Sequence, residues 1–455
     1  VRLSYGTSGS DNINSNLWRE TWSSLSSSSN HTPINGELGS FYRPDGLLAN
    51  SDLKWETTIS RNLGLDFGFL NNRINGSLEI YWNTTKDLLM AVPVDNTTGY
   101  SYQFQNFGKT SNRGIELSLN FDVINKGDFR FNIGAIYNYN RNKLDELPNA
   151  DQYLYSSYWG SSSLVPTNDY MFVEGKAIGL VRGFVSEGFY TVNDFRYENG
   201  QYILKEGIPD ITKALTATYM HPFNIPNGQT AFPGAAKFRD VNNSGTVDLD
   251  DATCLGEVMP RHTGSFQLNF NYKNFDLSSN FNWTAGGKVY NVAAMINASG
   301  QEFDGIGAQR TSWVADTYKV YNVNSSGDLY AVIDPNELNA LNANAKYHLP
   351  YHQSGITSSE WLEDGSYLRL QTLTLGYTLP HTVLNKIHIE KLRIYLTATN
   401  LFTITGYSGI DPEVNATPTG QSGFYSNLRV FPTLNMDFGT YPRARTFTLG
   451  ANITF

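Results

Sequence analysis

A strict two-residue alternation of apolar and polar side chains constrains the fold of this sequence more than any other feature. In 53–69 the apolar side chains fall mostly on odd positions, and in 74–82 they fall on even positions. Successive side chains of a β-strand point to opposite faces, so this period predicts strands with one apolar face. The sequence is therefore expected to be all-β. The alternation returns in 115–123, 129–139, 266–272, 275–283, 373–379, 392–398 and 447–455.

Short and long connections alternate between these segments. A soluble β-sandwich joins its strands by loops of moderate length at both ends. Short periplasmic turns and long extracellular loops are instead typical of an outer-membrane barrel. The pattern predicts a transmembrane antiparallel β-barrel, with a soluble barrel or sandwich as the alternative. The short connections lie near 71–72, 124–127, 175–178, 273–274 and 380–390, and the long ones near 9–51, 91–111, 144–168, 192–260, 291–365 and 405–444.

Twelve strands are predicted when every short turn is placed on the periplasmic side. The count is even, as single-chain bacterial barrels require, with the first strand running outward and the last inward. The alternation is interrupted in 169–191, where two of these strands are placed. The predicted strands start near 2, 52, 73, 112, 128, 169, 179, 261, 275, 366, 391 and 445.

Composition fits a surface that faces lipid in part. Charged residues make up 16% of the 455 residues, against roughly 25% in soluble domains. The only cysteine, Cys254, excludes an intrachain disulfide and a cysteine zinc cluster. A net charge of −9 without a basic stripe argues against nucleic-acid binding. The opening "VRLSYGTSG" reads as a strand and not as a signal peptide, so we expect further sequence upstream.

Seven blocks occur in one order along the chain, and together they resemble a known family. They are "NSDLKWETTISRNLGLDFGFLNNRINGSLEIYWNTTKDLL" at 50–89, "SNRGIELSL" at 111–119, "FVEGKAIGLVRGFVSEGFY" at 172–190, "PGAAKFRDVNNSGTVDLDDATCLGEVMPRHTGSFQLNFNYKNFDLS" at 233–278, "EDGSYLRLQTLTLGYTLP" at 363–380, "LRIYLTATNLFTITGYSGIDPEV" at 392–414 and "YPRARTFTLGANITF" at 441–455. In this order they are similar to the SusC-like (SusC/RagA) TonB-dependent transporters of Bacteroidetes outer membranes.

The resemblance implies a 22-strand barrel with an N-terminal plug and a TonB box. Residues 1–455 would then be the C-terminal part of the barrel, and the plug and TonB box would lie outside this chain. The family implies TonB-driven import of a nutrient oligomer, usually a glycan and sometimes a peptide. It also implies a SusD-like surface lipoprotein as partner, next to the TonB complex and outer-membrane lipid. A passive porin or adhesin barrel, or a soluble carbohydrate-binding β protein, is the alternative function.

The stretch "DVNNSGTVDLDD" at 240–251 has the ligand spacing of a calcium loop. Gly245 would permit the sharp turn at its sixth position. Ser244 is a neutral ligand, and the Asp at the twelfth position reaches less far than the usual Glu. The motif predicts a Ca²⁺ or Mg²⁺ site, and the alternative is a turn whose carboxylates accept backbone amides. The predicted ligands are Asp240, Asn242, Ser244, Thr246 through its carbonyl, Asp248 and Asp251.

Aromatic residues gather in a predicted external loop, "YLYSSYWGSS" at 153–162. Tyr155, Tyr158 and Trp159 are the predicted substrate-binding residues, since aromatic rings stack on sugars and on peptide side chains. The same rings serve equally to pack a long loop onto its neighbours. Trp18 and Trp22 in the first long loop have the same two interpretations.

Two further features concern metal binding and assembly. His348 and His352 are four residues apart, but Pro350 between them disfavours the helical turn that would pair them on a metal. The terminal Phe455 ends an alternating strand and resembles the signal that outer-membrane assembly machinery reads. No catalytic triad, phosphate loop or paired-carboxylate spacing is recognisable in the sequence, so we predict that the protein is not an enzyme.

Overall fold

The computed structural model describes most of the 455 residues. The described residues are all those outside 11–16, 21, 26–32, 35–36, 39–40, 45–46, 101, 148–151, 158–163, 217–220, 300–314, 350–354, 385–388 and 415–433. Among the residues that are described, no helix is both long enough and apolar enough to cross a bilayer.

One antiparallel sheet of ten strands dominates the described residues. Each strand pairs with its neighbours in chain order, as expected of strands joined by hairpin-type connections. The strands are β1 Arg2–Ser10, β2 Glu56–Phe69, β3 Ile74–Lys86, β4 Lys109–Lys126, β5 Phe129–Glu146, β6 His262–Tyr272, β7 Phe275–Ala285, β8 Tyr367–Thr378, β9 Lys391–Thr405 and β10 Thr446–Thr454.

The prediction of twelve strands is wrong by two in this sheet. The strands expected from 169 and 179 are the four-residue segments Tyr170–Val173 and Leu180–Gly183, which belong to a separate four-stranded sheet. A strand needs about 9–11 residues to cross the membrane, so these segments are too short. β5 instead pairs directly with β6.

The two ends of the sheet differ in the length of their connections. At the short-turn end, residues 70–73, 127–128, 273–274 and 379–390 join consecutive strands. The residues Leu70, Asn71 and Asn72 all have positive φ in the first of these turns, a conformation that asparagine adopts readily. At the opposite, long-loop end the connections are 11–55, 87–108, 147–261, 286–366 and 406–445. The predicted alternation is confirmed, except that 144–168 and 192–260 belong to one connection.

The apolar face of the sheet is exposed. Ile115 of β4 pairs with Ile80 on one side and with Tyr139 on the other, so apolar side chains from three strands form one surface. In β10, Leu449 is 75% exposed. Exposure of so many apolar side chains to water is energetically unfavourable, so this face is the lipid-facing side of the barrel. The opposite, polar face is its inner wall.

Glycine lets aromatic rings lie flat on the apolar face. Gly264 of β6 pairs with Trp283 of β7 and with Tyr137 of β5. A Cβ at Gly264 would lie 2.7 Å from the Trp283 ring and 2.5 Å from the carbonyl oxygen of Ile136. The indole therefore covers the backbone at Gly264, a contact that any side chain there would prevent.

Short elements fill the connections at the long-loop end, and we call their described residues the cap. Its helices are Val292–Ser299 and Pro335–Leu341, while His381–Leu384 lies at the other end of the sheet. Its 3₁₀ helices are Asn96–Thr98, Val192–Asp194, Lys213–Leu215, Leu249–Asp251 and Ser359–Trp361.

The cap contains many short strands, most of which pair with segments distant in sequence. They are Trp22–Leu25, Pro33–Ile34, Glu37–Leu38, Phe41–Pro44, Leu47–Leu48, Leu89–Pro93, Tyr102–Asn106, Gln152–Tyr155, Leu164–Val165, Tyr170–Val173, Leu180–Gly183, Ser186–Phe189, Phe195–Glu198, Gln201–Leu204, Asp210–Ile211, Ala236–Phe238, Thr246–Val247, Thr253–Glu257, Lys288–Asn291, Tyr321–Val323, Leu329–Ala331, Gly355–Ile356, Leu362–Asp364 and Met436–Asp437.

The buried cores of the molecule lie in the cap. Cluster 1 draws its residues from 184–247 and 318–356 and includes the fully buried Tyr190. Cluster 2 gathers residues close to the strand ends, among them Tyr170 and Tyr290. A soluble β protein would bury the apolar faces of its strands, whereas here the cap is packed like a soluble domain and the sheet turns its apolar face outward.

Candidate functional site

A continuous row of neutral residues, all with polar side chains except Gly134, crosses the inner wall. Asn75 pairs with Asn120, and Gln267 pairs with Asn280 further along the sheet. Amide and hydroxyl side chains both donate and accept hydrogen bonds without carrying charge. The wall can therefore contact a polar, uncharged chain at many points. From β3 to β10 the paired positions are Asn75, Asn120, Gly134, Gln267, Asn280, Thr372, Thr399 and Thr446.

Two groups of ion-paired side chains lie on the inner wall near its short-turn end. Nε and Nη2 of Arg393 donate to the two carboxylate oxygens of Asp276 at 2.9 and 2.5 Å. Nη2 of Arg2 contacts Asp66 at 2.9 Å and Glu79 at 2.8 Å. The two-pronged contact between Arg393 and Asp276 fixes the orientation of both side chains, whereas Arg2 bridges two carboxylates through one nitrogen.

The predicted aromatic ligand site is only partly within the described residues. Tyr155 is 5% exposed and belongs to cluster 2. Its ring lies 4.8 Å from Phe172 and 5.6 Å from Tyr170, measured between ring centroids. Tyr155 thus packs the loop in this structure and does not present its ring to a ligand. Tyr158 and Trp159 lie outside the described residues.

Next to Tyr155 lies a buried carboxylate that forms no ion pair with any of the described residues. Asp169 is fully buried, and its Oδ1 and Oδ2 accept hydrogen bonds from the amide and the hydroxyl of Ser157 at 2.7 and 2.5 Å. Burial raises the pKa of the Asp169 carboxyl to about 6, although the hydrogen bonds from Ser157 act to lower it. Asp169 therefore anchors the end of Gln152–Tyr155 through a group that titrates near neutral pH.

The predicted metal loop at 240–251 forms a compact turn in the cap, in the connection between β5 and β6. Asp240 accepts hydrogen bonds from the amides of Ser244 at 3.1 Å and Gly245 at 2.7 Å. Gly245 has φ +86°, the conformation that favours glycine at this position. Thr246–Val247 pairs in parallel with Asp210–Ile211, and this pairing ties the loop to cluster 1.

The closing residue of this loop, Asp251, is fully buried. Its Oδ1 accepts from the amides of Val241 and Asn242 at 2.7 and 3.2 Å, and its Oδ2 accepts from the amide of Asp248 at 2.9 Å. Within the part of the chain that the structure describes, no group of three or more Asp, Glu, His or Cys side chains is placed to hold a metal ion. The oxygens of Asp240 and Asp251 thus face backbone amides, and the metal site stays a prediction.

Two exposed tryptophans mark the first long connection. Trp18 is 58% exposed and Trp22 is 56% exposed. The guanidinium of Arg19 lies 6.0 Å from the centroid of the Trp18 ring, and the Tyr100 hydroxyl donates to Glu20 at 2.6 Å. These rings are available for stacking, in contrast to Tyr155.

An ion-pair network built on the buried pair Arg369–Asp411 ties together the two ends of the connection 406–445. Arg369 of β8 donates through Nη2 to Asp411 at 2.5 Å and through Nη1 to Glu413 at 2.9 Å. Arg443, just before β10, donates to the other oxygen of Glu413 at 2.5 Å. Arg369 therefore links the chain after β9 with the chain before β10, at the mouth of the inner wall.

The remaining predicted site residues are the two histidines and the terminal Phe455. His348 is buried, and its Nε2 lies 3.6 Å from Oε2 of Glu360. His352 and Pro350 lie outside the described residues, so the histidine pair is not tested. Phe455 is 88% exposed and follows β10 in register with Phe447 and Leu449, in agreement with its alternation. Its role in assembly stays a prediction.

The inner-wall row, Asp169 and the Arg369 network were not singled out from the sequence. The row could have been found in the sequence, because its asparagines and threonines alternate with the apolar residues of each strand and so belong to the opposite face. Arg369 lies in β8 and Asp411 lies 42 residues later in the connection after β9, so no local spacing marks them as partners.

Comparison with known proteins identifies relatives along the whole chain. The family model described as "TonB dependent receptor-like, beta-barrel" matches residues 1–401. TonB-dependent receptor P3 of Formosa agariphila is 29% identical over 454 residues, which is 100% of this chain and 39% of that protein. TonB-dependent receptor SusC of Bacteroides thetaiotaomicron is 26% identical over 100% of this chain and 37% of its own length. The chain thus spans about two fifths of these relatives.

A solved structure has the same fold. The RagAB peptide transporter superposes with a TM-score of 0.66 and 21% identity, covering 100% of this chain and 40% of that chain. At this identity the likeness concerns the fold alone. It agrees with a sheet that forms part of a larger barrel.

Proposed function

Because this chain belongs to the TonB dependent receptor-like β-barrel family, we propose that it is part of the wall of a TonB-coupled importer. The chain is part of an outer-membrane β-barrel of the SusC type. Its family consists of receptors and transporters and not of enzymes. The importer would carry a nutrient oligomer across the outer membrane. TonB would supply the energy through parts of the protein outside residues 1–455.

The inner-wall row is the observation that supports an oligomeric, polar cargo. Its residues are neutral from Asn75 to Thr446, so they can exchange hydrogen bonds with successive hydroxyl or amide groups. On the same wall, Arg393 and Asp276 are already paired with each other. We propose a glycan as cargo in the first place and a peptide in the second, the latter in line with the name of the RagAB peptide transporter.

We further propose that a SusD-like surface lipoprotein covers the cap. The likeness to SusC supports this partner, and the well-packed clusters of the cap would give it a firm surface. Exposed Trp18 and Trp22, together with Tyr158 and Trp159, are proposed to contact the cargo beneath that cover.

Uptake measurements on cells that carry the intact protein test energy coupling. Labelled oligosaccharides and peptides are offered to cells with and without a functional TonB complex. We expect uptake of one class only, and its loss when TonB is removed. Uptake that continues without TonB would identify a passive pore instead. Mass spectrometry of material that co-purifies with the protein separates glycan from peptide.

Aromatic variants test the contact with cargo. Trp18→Ala with Trp22→Ala is expected to weaken cargo binding by about 2 kcal/mol if both rings stack on it. Tyr155→Phe is the matched control, because that ring is packed in cluster 2 and keeps its shape. Equal affinity of the double variant and the control would remove Trp18 and Trp22 from the proposed site.

A further inference from the structure

Two arginines stand side by side on the apolar face at the long-loop end. Arg113 of β4 is paired directly with Arg141 of β5. Two residues further along the strands, Ile115 is paired with Tyr139. Because side chains two apart share a face, both guanidinium groups lie on the face that meets lipid, and both residues are exposed.

The arginines lie at the outer edge of the apolar band. Along β5, alternate side chains from Phe129 to Tyr139 are apolar or aromatic, and Arg141 is the next on that face. Ten residues span about 34 Å along a strand, or about 26 Å of membrane at a tilt of about 40°. The apolar band of an outer-membrane barrel is about 25 Å tall. Arg113 and Arg141 are therefore at the level of the outer-leaflet headgroups.

The neighbouring acidic groups are already paired with other cations. Nζ of Lys109 contacts Glu146 at 2.8 Å, and Nζ of Lys143 contacts Asp145 at 3.5 Å. Over the described ranges of the chain, neither Arg113 nor Arg141 takes part in an ion pair. Like charges directly opposite each other destabilise a sheet. The pair thus lacks a counter-ion of its own.

Aromatic and hydrogen-bonding groups flank the two arginines. Trp82 of β3 is paired with Arg113 on the other side. The ring of His262 lies 5.1 Å from that of Tyr139, centroid to centroid, just below Arg141. Tryptophan and tyrosine are typical of the boundary between headgroups and hydrocarbon. The surroundings fit a ligand that has an anionic head and apolar chains.

We propose that Arg113 and Arg141 bind the phosphate of a lipid headgroup in the outer leaflet. Two adjacent guanidinium groups offer parallel N–H donors that match phosphate oxygens. The acyl chains of such a lipid would lie along the apolar face below, over Ile115 and Tyr139. A bound phosphate would also remove the repulsion between the two arginines. This site goes beyond the proposed transport function, since it lies on the outside of the barrel.

Lipid retention by the intact protein tests the site. The protein is reconstituted with monophosphoryl lipid A or with the same lipid after removal of its phosphate, and lipid retained in detergent is counted by native mass spectrometry. We expect about tenfold more retention of the phosphorylated lipid, as charge-assisted contacts would give. Arg113→Gln with Arg141→Gln should abolish this preference, whereas Arg113→Lys with Arg141→Lys should keep part of it.

Arg196→Gln with Arg239→Gln is the matched control, because both arginines are exposed in the cap and away from the apolar face. It removes the same charge and should leave the lipid preference intact. Equal retention of both lipids by the wild type would overturn the proposal, as would an unchanged preference in the Gln double variant. Inorganic phosphate alone should not displace the lipid at equal concentration, and displacement would show a free-anion site instead. Thermal unfolding of each variant confirms that the barrel is folded.

Discussion

Arg369 and Asp411 form a buried ion pair, with Nη2 2.5 Å from Oδ1 and the side chains only 3% and 8% exposed. Removing one partner of a buried pair leaves an uncompensated charge and typically costs about 3–5 kcal/mol. We expect Arg369→Met to release the chain around Asp411 and Glu413, with faster amide exchange there than in the wild type.

The control for this prediction is Arg443→Gln. The side chain of Arg443 is 45% exposed and its guanidinium pairs with Glu413, while its backbone amide, which the substitution keeps, donates to Asp411. Loss of the exposed guanidinium should therefore cost about 0–1 kcal/mol. Arg369→Met with Asp411→Asn should recover part of the protection, because it removes both buried charges. Slow exchange in Arg369→Met would show that other contacts hold this connection.

Gly264 is expected to tolerate no side chain. A Cβ there would meet both the Trp283 ring and a backbone oxygen, and overpacking costs about 1–3 kcal/mol. Gly264→Ala should lower the thermal stability of the barrel in detergent. Gly6→Ala is the control, since a Cβ at Gly6 has no atom within 4 Å. If the two variants melt alike, the indole does not depend on the glycine beneath it.

The barrel strands could be predicted because lipid imposes a simple rule on them. Successive residues of β4 face lipid and the inner wall in turn up to the irregularity between Asp122 and Ile124, so the period of two in this strand is visible without any tertiary information. The same holds for β10, including its end at Phe455. The short turns at 71–72 and 273–274 were confirmed for the same reason, since a strand must reverse once it has crossed the membrane.

The cap could not be predicted in this way, because its contacts are long-range. Leu164–Val165 pairs in parallel with Gly355–Ile356. No local sequence pattern predicts a pairing between segments so far apart in the chain. Tyr170–Val173 is apolar because it is buried in the cap. A strand that faces lipid is also rich in apolar residues, so composition alone did not distinguish the two. An aromatic residue such as Tyr155 carries no sequence signal that distinguishes packing from ligand contact.

Calcium binding by the loop 240–251 remains a separate prediction. We expect Ca²⁺ to bind with a Kd of roughly 10⁻⁴–10⁻³ M, as weak loops of this kind do, and to slow amide exchange in the loop. Asp240→Ala with Asp248→Ala should abolish binding. Asp240→Asn is the control for the turn, since its amide oxygen can still accept from Gly245. A loop whose exchange is the same in calcium and in chelator would be held by amide hydrogen bonds alone.

Asp169 should make the anchoring of residues 153–157 depend on pH. Burial raises the pKa of this carboxyl from its ordinary value of 3.8 to about 6, so the folded state favours the protonated form. The resulting stability is complete below pH 3.8 and is lost as the pH rises through 6. We therefore expect amide protection of 153–157, corrected for intrinsic exchange, to be greater at pH 5 than at pH 8. Asp169→Asn keeps a neutral partner for Ser157 and should remove this dependence, whereas a wild type with equal protection at both pH values would contradict the prediction.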